Sequence, residues 1–151
     1  MSSSWLIMKR KQKTDTHDRP LVLFQVWKVY QRRAESMSEH LNATVRYYHS
    51  PWEERRKIFK AASYFLKSWN TARDLFRYRP DIVIIQLPPT LALYVVGGYG
   101  LLTGTPYIAD CHNAMILRSW IRWPFAKYLL QKAAAVIVHN ENVRLHAQES
   151  G

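Results

Sequence analysis

Short apolar runs alternate along the chain with longer segments of helical periodicity, from Leu21 onward. The runs are only a few residues long and mostly rich in β-branched residues, which is typical of strands buried on both faces of a sheet. Strands are predicted near Leu21–Phe24, Thr44–Tyr48, Ile82–Ile85, Tyr107–Ala109 and Ala135–Val138. Because helical segments separate these strands, the pattern predicts an α/β fold, a doubly wound parallel sheet with helices on both faces.

The longest predicted helix opens at Pro51 and ends before Pro80, since proline suits a first helical turn and stops a helix that reaches it. Apolar residues recur along this helix at spacings of three and four residues. That period predicts one continuous apolar stripe that packs against the sheet. The stripe consists of Ile58, Ala62, Phe65, Trp69, Ala72 and Phe76.

The chain has 151 residues, a length that predicts one domain. Residues 1–19 are polar, charged and aperiodic, so we expect a disordered basic leader before a single domain at residues 20–151. The one cysteine, Cys111, excludes an internal disulfide and favours a reducing compartment. The longest apolar stretch, Leu91–Leu102, is shorter than the roughly 20 residues that span a bilayer. We therefore expect a cytoplasmic protein, either soluble or peripheral at the inner face of the membrane.

Polar residues follow the predicted strands, where an open parallel sheet binds its ligands. They are Gln25, Lys28, His49, Gln86, the segment Asp110-Cys-His-Asn113, His139, Asn140 and Glu141. One interpretation is that strand ends are polar simply because they meet water. The other is that these residues line a site, in which His112 could hydrogen-bond a substrate or handle a proton.

The formal net charge of +11 predicts an anionic partner, such as nucleic acid, an acidic lipid surface or a phosphorylated small molecule. Arg56, Lys60 and Lys67 are spaced to share one face of the long helix, and either form solvated surface or meet anionic groups. Two arginines alternate with two tryptophans further on, as in an interfacial membrane anchor: Arg118, Trp120, Arg122 and Trp123. The alternative for this second segment is a loop that closes over the core or faces another domain.

Three segments together resemble the amino-terminal domain of family 4 glycosyltransferases. They are Arg79-Pro-Asp followed by an apolar strand to Gln86, Gly104-Thr-Pro followed by a strand to Asn113, and Ala133–Glu141. The resemblance implies a Rossmann-like domain that forms one half of a GT-B fold and holds the acceptor, while a second domain holds the nucleotide sugar. It also implies a catalytic role for His112, in an acceptor cleft whose expected lining is Gln25, Gln86, Asp110, Asn113, Asn140 and Glu141. One departure is the segment after the first strand, Gln25–Tyr30, which lacks the glycines that family members carry there.

The leading hypothesis is the acceptor-side half of a hexosyltransferase-type enzyme that moves a sugar from a nucleotide sugar to a lipid-linked or polysaccharide acceptor. We expect this chain to be inactive alone, because it ends at Gly151, before the family's donor-binding domain. The nucleotide sugar would then need a carboxyl-terminal domain or a partner chain. No cofactor or metal is expected, since the sequence has no nucleotide-binding glycine motif and no metal-ligand spacing. No nucleic-acid partner is expected either, since the sequence has no RRM, KH or helix-turn-helix signature. The alternative is a non-enzymatic basic module that binds nucleic acid or an anionic surface.

Overall fold

The structure is a computed structural model that describes residues 20–52, 57–112, 119–138 and 144–145. The predicted leader and five of the predicted site residues lie outside the described residues: Arg56, Asn113, Arg118, Asn140 and Glu141. The backbone of Trp120 is described, but its side chain is not.

Five parallel strands form one sheet in the order β2-β1-β3-β4-β5. The strands are β1 Val22–Val26, β2 Thr44–Tyr47, β3 Ile82–Leu87, β4 Tyr107–Cys111 and β5 Ala135–Val138. The helices are α1 Arg32–Leu41, α2 Lys57–Tyr78, α3 Thr90–Thr103 and α4 Ala126–Lys132, with a 3₁₀ turn at Ser119–Arg122. The predicted fold class, a doubly wound Rossmann-like parallel sheet, is confirmed.

Helices cover both faces of this sheet. On one face, the side chains of Val22, Phe24, Val26 and Ile84 form a core cluster with Ala34 of α1. On the other face, a larger cluster joins the sheet to α2, α3 and α4. Strand order reverses at β1, because the chain moves outward to β2 and then crosses back to β3. In such sheets, the carboxyl ends of the two central strands, here β1 and β3, flank the usual ligand crevice.

The predicted packing of the long helix is wrong. The stripe residues Ile58, Phe65, Trp69 and Phe76 are exposed on the outer side of α2. The residues that α2 buries are mostly polar: Ser63, Lys67, Thr71, Asp74 and Leu75.

Hydrogen bonds from the sheet side explain this orientation of α2. The indole Nε1 of Trp27 donates to the Thr71 hydroxyl over 2.9 Å, and the Tyr48 hydroxyl donates to Asp74 over 2.8 Å. Both bonds are buried, so turning the helix to bury its apolar stripe would leave these polar groups without partners. The inner surface of α2 is therefore selected by Trp27 and Tyr48, the residues that directly follow β1 and β2.

Within the part of the chain that the structure describes, no helix is both long enough and apolar enough to cross a membrane.

Candidate functional site

The predicted site residues of β1 and β3 lie inside the strands rather than beyond them. Gln25 is 0% exposed and Gln86 is 2% exposed. Contact with water therefore does not explain why these two positions are polar. The amide groups of both side chains have no hydrogen-bond partner within the described residues, and a buried amide of this kind is costly unless something pairs with it.

Gln86 and Asp110 are neighbours across the β3–β4 ladder, where their Cα atoms are register partners. Asp110 belongs to β4 and is fully buried, so the prediction that it follows the strand is wrong. Its carboxylate accepts two hydrogen bonds from Arg33 of α1, one from the terminal nitrogen at 3.0 Å and one from Nε at 3.3 Å. A two-point pair of this kind fixes the orientation of the carboxylate and links α1 to the carboxyl end of β4.

His112 immediately follows β4, at the carboxyl edge of the sheet. Its backbone N–H donates to the carbonyl oxygen of Leu87 over 2.9 Å, which continues the β3–β4 pairing by one residue. The side chain is half-buried. The sheet therefore fixes the backbone of His112 two residues from the Arg33–Asp110 pair, which suits a group that must be held in place before a ligand arrives.

Gln25 lies on the other face of the sheet, beside Tyr48 and Asp74. Burial, the hydrogen bond to Asp74 and the charge of Asp74 all raise the pKa of the Tyr48 hydroxyl, while the nearby Gln25 amide opposes that rise. The Gln25 amide does not reach hydrogen-bond geometry with any described residue. In the β1–β3 register Gln25 pairs with Ile85, so Gln86 stands one position further along. Because successive side chains of a strand point to opposite faces, the Gln25 and Gln86 side chains lie on opposite faces of the sheet.

Cys111 is fully buried in the core cluster that joins the sheet to α2, α3 and α4, and it carries a free thiol. Burial raises the pKa of this thiol to about 12, and the neighbouring Asp110 carboxylate adds to the shift. A thiol that stays protonated at neutral pH is a poor nucleophile. The structure thus agrees with the expectation that Cys111 packs in the core rather than forming a nucleophile–base pair with His112.

Sequence reasoning missed Arg33, although this residue orients the carboxylate next to the predicted histidine. Arg33 stands 77 positions from Asp110 in the chain. No local pattern distinguishes it within the 22 lysines and arginines of the chain. The available signal was indirect, since a buried aspartate requires a cation or several hydrogen bonds.

The predicted basic row on α2 is only partly exposed. Lys60 is exposed, but Lys67 is 3% exposed and its ammonium nitrogen lies 5.8 Å from the centre of the Tyr64 ring. The prediction that Lys67 belongs to an outward face is therefore wrong, because α2 turns that side of the helix toward the sheet. Arg122 and Trp123 are exposed, as an interfacial segment requires, and their role stays a prediction.

Among the described residues, no group of three or more histidine, cysteine, aspartate or glutamate side chains could hold a metal ion. The site consists of a half-buried histidine, the buried Asp110 carboxylate with its half-buried partner Arg33, and a buried Gln86 amide around the carboxyl ends of β3 and β4. These groups offer hydrogen bonds and one titratable ring, which suits the binding and reaction of a polar, hydroxyl-rich molecule.

Comparison with protein families identifies the family of the chain. The model of the glycosyl transferase 4-like domain matches residues 21–151, which span the whole sheet and its helices. Comparisons with curated proteins and with solved structures gave no significant match. The family match covers most of the sequence, and the chain belongs to the glycosyl transferase 4-like domain family.

Proposed function

We propose that residues 21–151 form the acceptor-side half of a GT-B glycosyltransferase, which moves a sugar from a nucleotide sugar to a lipid-linked or polysaccharide acceptor. The family match over this range carries the proposal, since it assigns the chain to a glycosyl-transfer family. The polar groups at the carboxyl ends of β3 and β4 support it, because ligands of open α/β sheets bind at that edge.

In this proposal His112 is the catalytic residue that contacts the transferred sugar. Its ring hydrogen-bonds the sugar as charge develops in the transition state, an effect that is larger at a group already held in place. Asp110 and Arg33 act as positioning residues, because the half-buried Arg33 guanidinium and the buried Asp110 carboxylate hold the strand end from which His112 projects. The Gln86 amide, buried and without a described partner, supplies a donor and an acceptor for a hydroxyl group of the acceptor.

The nucleotide sugar binds in this proposal to a separate donor-binding domain, on the same longer protein or on a partner chain. The segment Gln25–Tyr30, which covers the end of β1 and the loop that follows, supports this division because it contains no glycine. Loops that cradle phosphates use glycines so that backbone N–H groups can approach the phosphate oxygens closely. Residues 1–151 alone are accordingly proposed to have no transferase activity.

The test combines the purified chain with a separately purified donor-binding domain from another member of the family. Transfer of a labelled hexose to a soluble acceptor analogue is measured with each component alone and with both together. We expect turnover only in the combined sample. In that sample His112→Ala should lower kcat by about 10²-fold or more, with little change in acceptor KM, if the ring acts mainly in the transition state.

His40→Ala is the matched control. His40 is exposed in the last turn of α1, and that turn leads into β2, an edge strand that does not neighbour β3 or β4. It should leave kcat unchanged. A folded His112→Ala protein with full kcat would remove the catalytic assignment. Turnover by residues 1–151 alone would remove the proposed division between acceptor and donor domains.

A further inference from the structure

The outward side of α2 carries an apolar stripe in which large and small side chains follow the same order when the helix is read in either direction. The members of this stripe, called here the α2 stripe, are Ile58, Ala62, Phe65, Trp69, Ala72 and Phe76. We propose that the α2 stripe is the contact surface for a second copy of the chain, with the two α2 helices antiparallel. The inference stands on side-chain size, exposure and charge, and it does not depend on the proposed transferase activity.

The α2 stripe is open to solvent although its residues are apolar. Ile58 and Phe65 are each 72% exposed, Trp69 is 64% exposed and Phe76 is 54% exposed. The buried side of the helix is polar and faces the sheet, so the helix cannot turn to cover the stripe within its own chain. Soluble monomers rarely expose a continuous apolar surface of this kind unless something binds it.

The spacing of the α2 stripe is that of a seam between two helices. Its members follow one another at intervals of four, three, four, three and four residues. Helices with apolar residues at alternating intervals of three and four pack side by side at about 20°, with their axes about 8–10 Å apart. The stripe extends along most of α2, from Ile58 to Phe76, which is about 27 Å of helix.

A twofold axis at position 67 superimposes the α2 stripe on itself in antiparallel register. The facing pairs are Phe65 with Trp69, Ile58 with Phe76, and Ala62 with Ala72 of the second copy. Large side chains therefore meet large ones, and the two alanines meet each other. Alanine layers let the two backbones approach, while the aromatic and aliphatic layers between them fill the space. Such a pair is isologous, since both copies contribute the same surface, and this is the commonest symmetry of homo-oligomers.

The outward side of α2 is uncharged over most of its length. From Ile58 to Ala72 the sequence contains only two charged residues, Lys60 and Lys67. Lys67 is 3% exposed on the side that faces the sheet, and Lys60 precedes it by two helical turns on that same side. Two α2 stripes in contact therefore bring no cation against a cation over this length. A partner that recognises charge finds none on this outward side, whereas a second apolar stripe matches it.

The arginines near the end of α2 favour antiparallel over parallel helices. The Arg73 guanidinium lies 3.5 Å from the Asp74 carboxylate, which offsets part of its charge. In the antiparallel register the two copies of Arg73 stand about 18 Å apart along the helix axis, and those of Arg77 about 30 Å apart. Both distances exceed the screening length of about 8 Å at physiological ionic strength. Parallel helices would instead place each arginine beside its own copy.

The exposed apolar area is close to what a stable dimer needs. The large apolar side chains on the outward side of α2, which are 40% to 72% exposed, are Ile58, Phe59, Phe65, Leu66, Trp69 and Phe76. At about 200 Å² for each such side chain, they offer roughly 700 Å² per copy, compared with the ~800 Å² per partner of a standard interface. Phe65 and Trp69 lie next to the twofold axis, and aromatic residues at the centre of an interface carry most of the binding energy.

The first test measures the association of the full chain by sedimentation velocity at a series of micromolar concentrations. We expect a dimer whose population rises with concentration. Phe65→Ser, Trp69→Ser should raise the dimer Kd by about 100-fold or more, because it removes two central aromatic residues from each copy. The matched control is Val29→Ser, Leu41→Ser, two exposed apolar residues outside α2, which should leave the Kd within about threefold of the wild type. Both variants should keep the circular dichroism spectrum of the wild type, because the substituted side chains are exposed.

The second test measures the register of the two helices by disulfide crosslinking. Ala62→Cys on one copy and Ala72→Cys on the other should come within the roughly 4.4–6.8 Å between Cα atoms that a disulfide requires. Two copies of residue 62 stand about 15 Å apart along the axis in the same register, and so do two copies of residue 72. After mild oxidation, a mixture of the two variants should contain about tenfold more crosslinked dimer than either variant alone. The wild type is the control, since its one cysteine, Cys111, is buried.

A chain that is monomeric at every concentration would overturn the proposal, and so would a dimer that survives Phe65→Ser, Trp69→Ser. Crosslinking of Ala62→Cys with itself as efficiently as with Ala72→Cys would also overturn it, because the helices would then be parallel. A monomeric chain that binds phosphatidylglycerol vesicles and loses this binding in Phe65→Ser, Trp69→Ser would identify a lipid surface as the occupant instead of a second copy.

Discussion

Two glycines of α3 allow a sharp test of how this helix packs against β4, the strand that leads to Asp110 and His112. A Cβ atom added at Gly100 would lie 2.8 Å from Cδ1 of Tyr107 and 2.9 Å from the backbone oxygen of Thr105. At Gly98, two residues away in the same helix, an added Cβ atom would have no neighbour within 4 Å. The same substitution by alanine should therefore have opposite effects at these two positions.

The magnitudes follow from helix propensity and steric overlap. Replacing glycine by alanine inside a helix stabilises it by about 0.8–1.0 kcal/mol, because alanine restricts the unfolded chain. Gly98→Ala should retain that full gain. At Gly100 the overlap should cost about 1–3 kcal/mol. Neither contact can easily move, because one atom is backbone and the Tyr107 ring is tied by its hydroxyl to the Leu129 carbonyl oxygen. Because the propensity gain applies at both positions, Gly100→Ala should be less stable than Gly98→Ala by about 1–3 kcal/mol.

Urea unfolding followed by far-ultraviolet circular dichroism measures both free energies of unfolding. In thermal scans, Gly98→Ala should raise the Tm by about 2–4 °C, and Gly100→Ala should lower it. A third variant, Gly97→Ala, should be intermediate, since its added Cβ atom would meet the flexible end of the Leu129 side chain at 2.9 Å. Equal stability of Gly98→Ala and Gly100→Ala would refute the close approach of α3 to β4.

Two further predictions concern the buried groups beside the site. Arg33→Met should lower the free energy of unfolding by about 2 kcal/mol, because it removes two charge-assisted hydrogen bonds to the buried Asp110. Arg32→Met, at an exposed position, should change that free energy by less than about 0.5 kcal/mol. Equal effects of the two substitutions in urea unfolding would contradict this prediction. Burial raises the pKa of the Cys111 thiol from 9.0 to about 12, so above about pH 9 the folded state keeps a proton that the unfolded state releases. The free energy of unfolding should therefore fall by up to about 1.4 kcal/mol per pH unit as the pH rises above about 9. Cys111→Ala has no thiol to titrate, so the difference in free energy of unfolding between the wild type and this variant should become smaller between pH 9 and pH 11. A difference that stays constant over this range would show that the thiol does not titrate there.

The order of strands and helices could be predicted from the sequence alone. β3 is a run of β-branched residues after Pro80, and the pattern predicted its start at Ile82. Local composition decides such elements, because β-branched side chains favour extended backbone and proline punctuates the chain. Alternation of strand and helix then limits the topology to a parallel sheet with right-handed crossovers. The position of His112 at the carboxyl edge follows from the same reasoning.

Only the tertiary structure decided which way α2 faces and which charges meet. The period of Phe65, Trp69 and Phe76 predicted an apolar side of that helix, but a period cannot say whether the apolar side meets the core or the solvent. Hydrogen bonds made by Trp27 and Tyr48, both distant in the chain, settle that question.

The candidate site shows the same division between local and long-range information. Gln86 and Asp110 could be picked out from the sequence as polar residues near strand ends, yet their burial and their adjacency depend on the β3–β4 register. The pairing of Arg33 with Asp110 depends on how α1 lies across the sheet. Local sequence therefore determined the strands and helices. Contacts between distant residues determined which side of each strand and helix is buried, because a side chain's partner across the fold leaves no periodic signal in the chain.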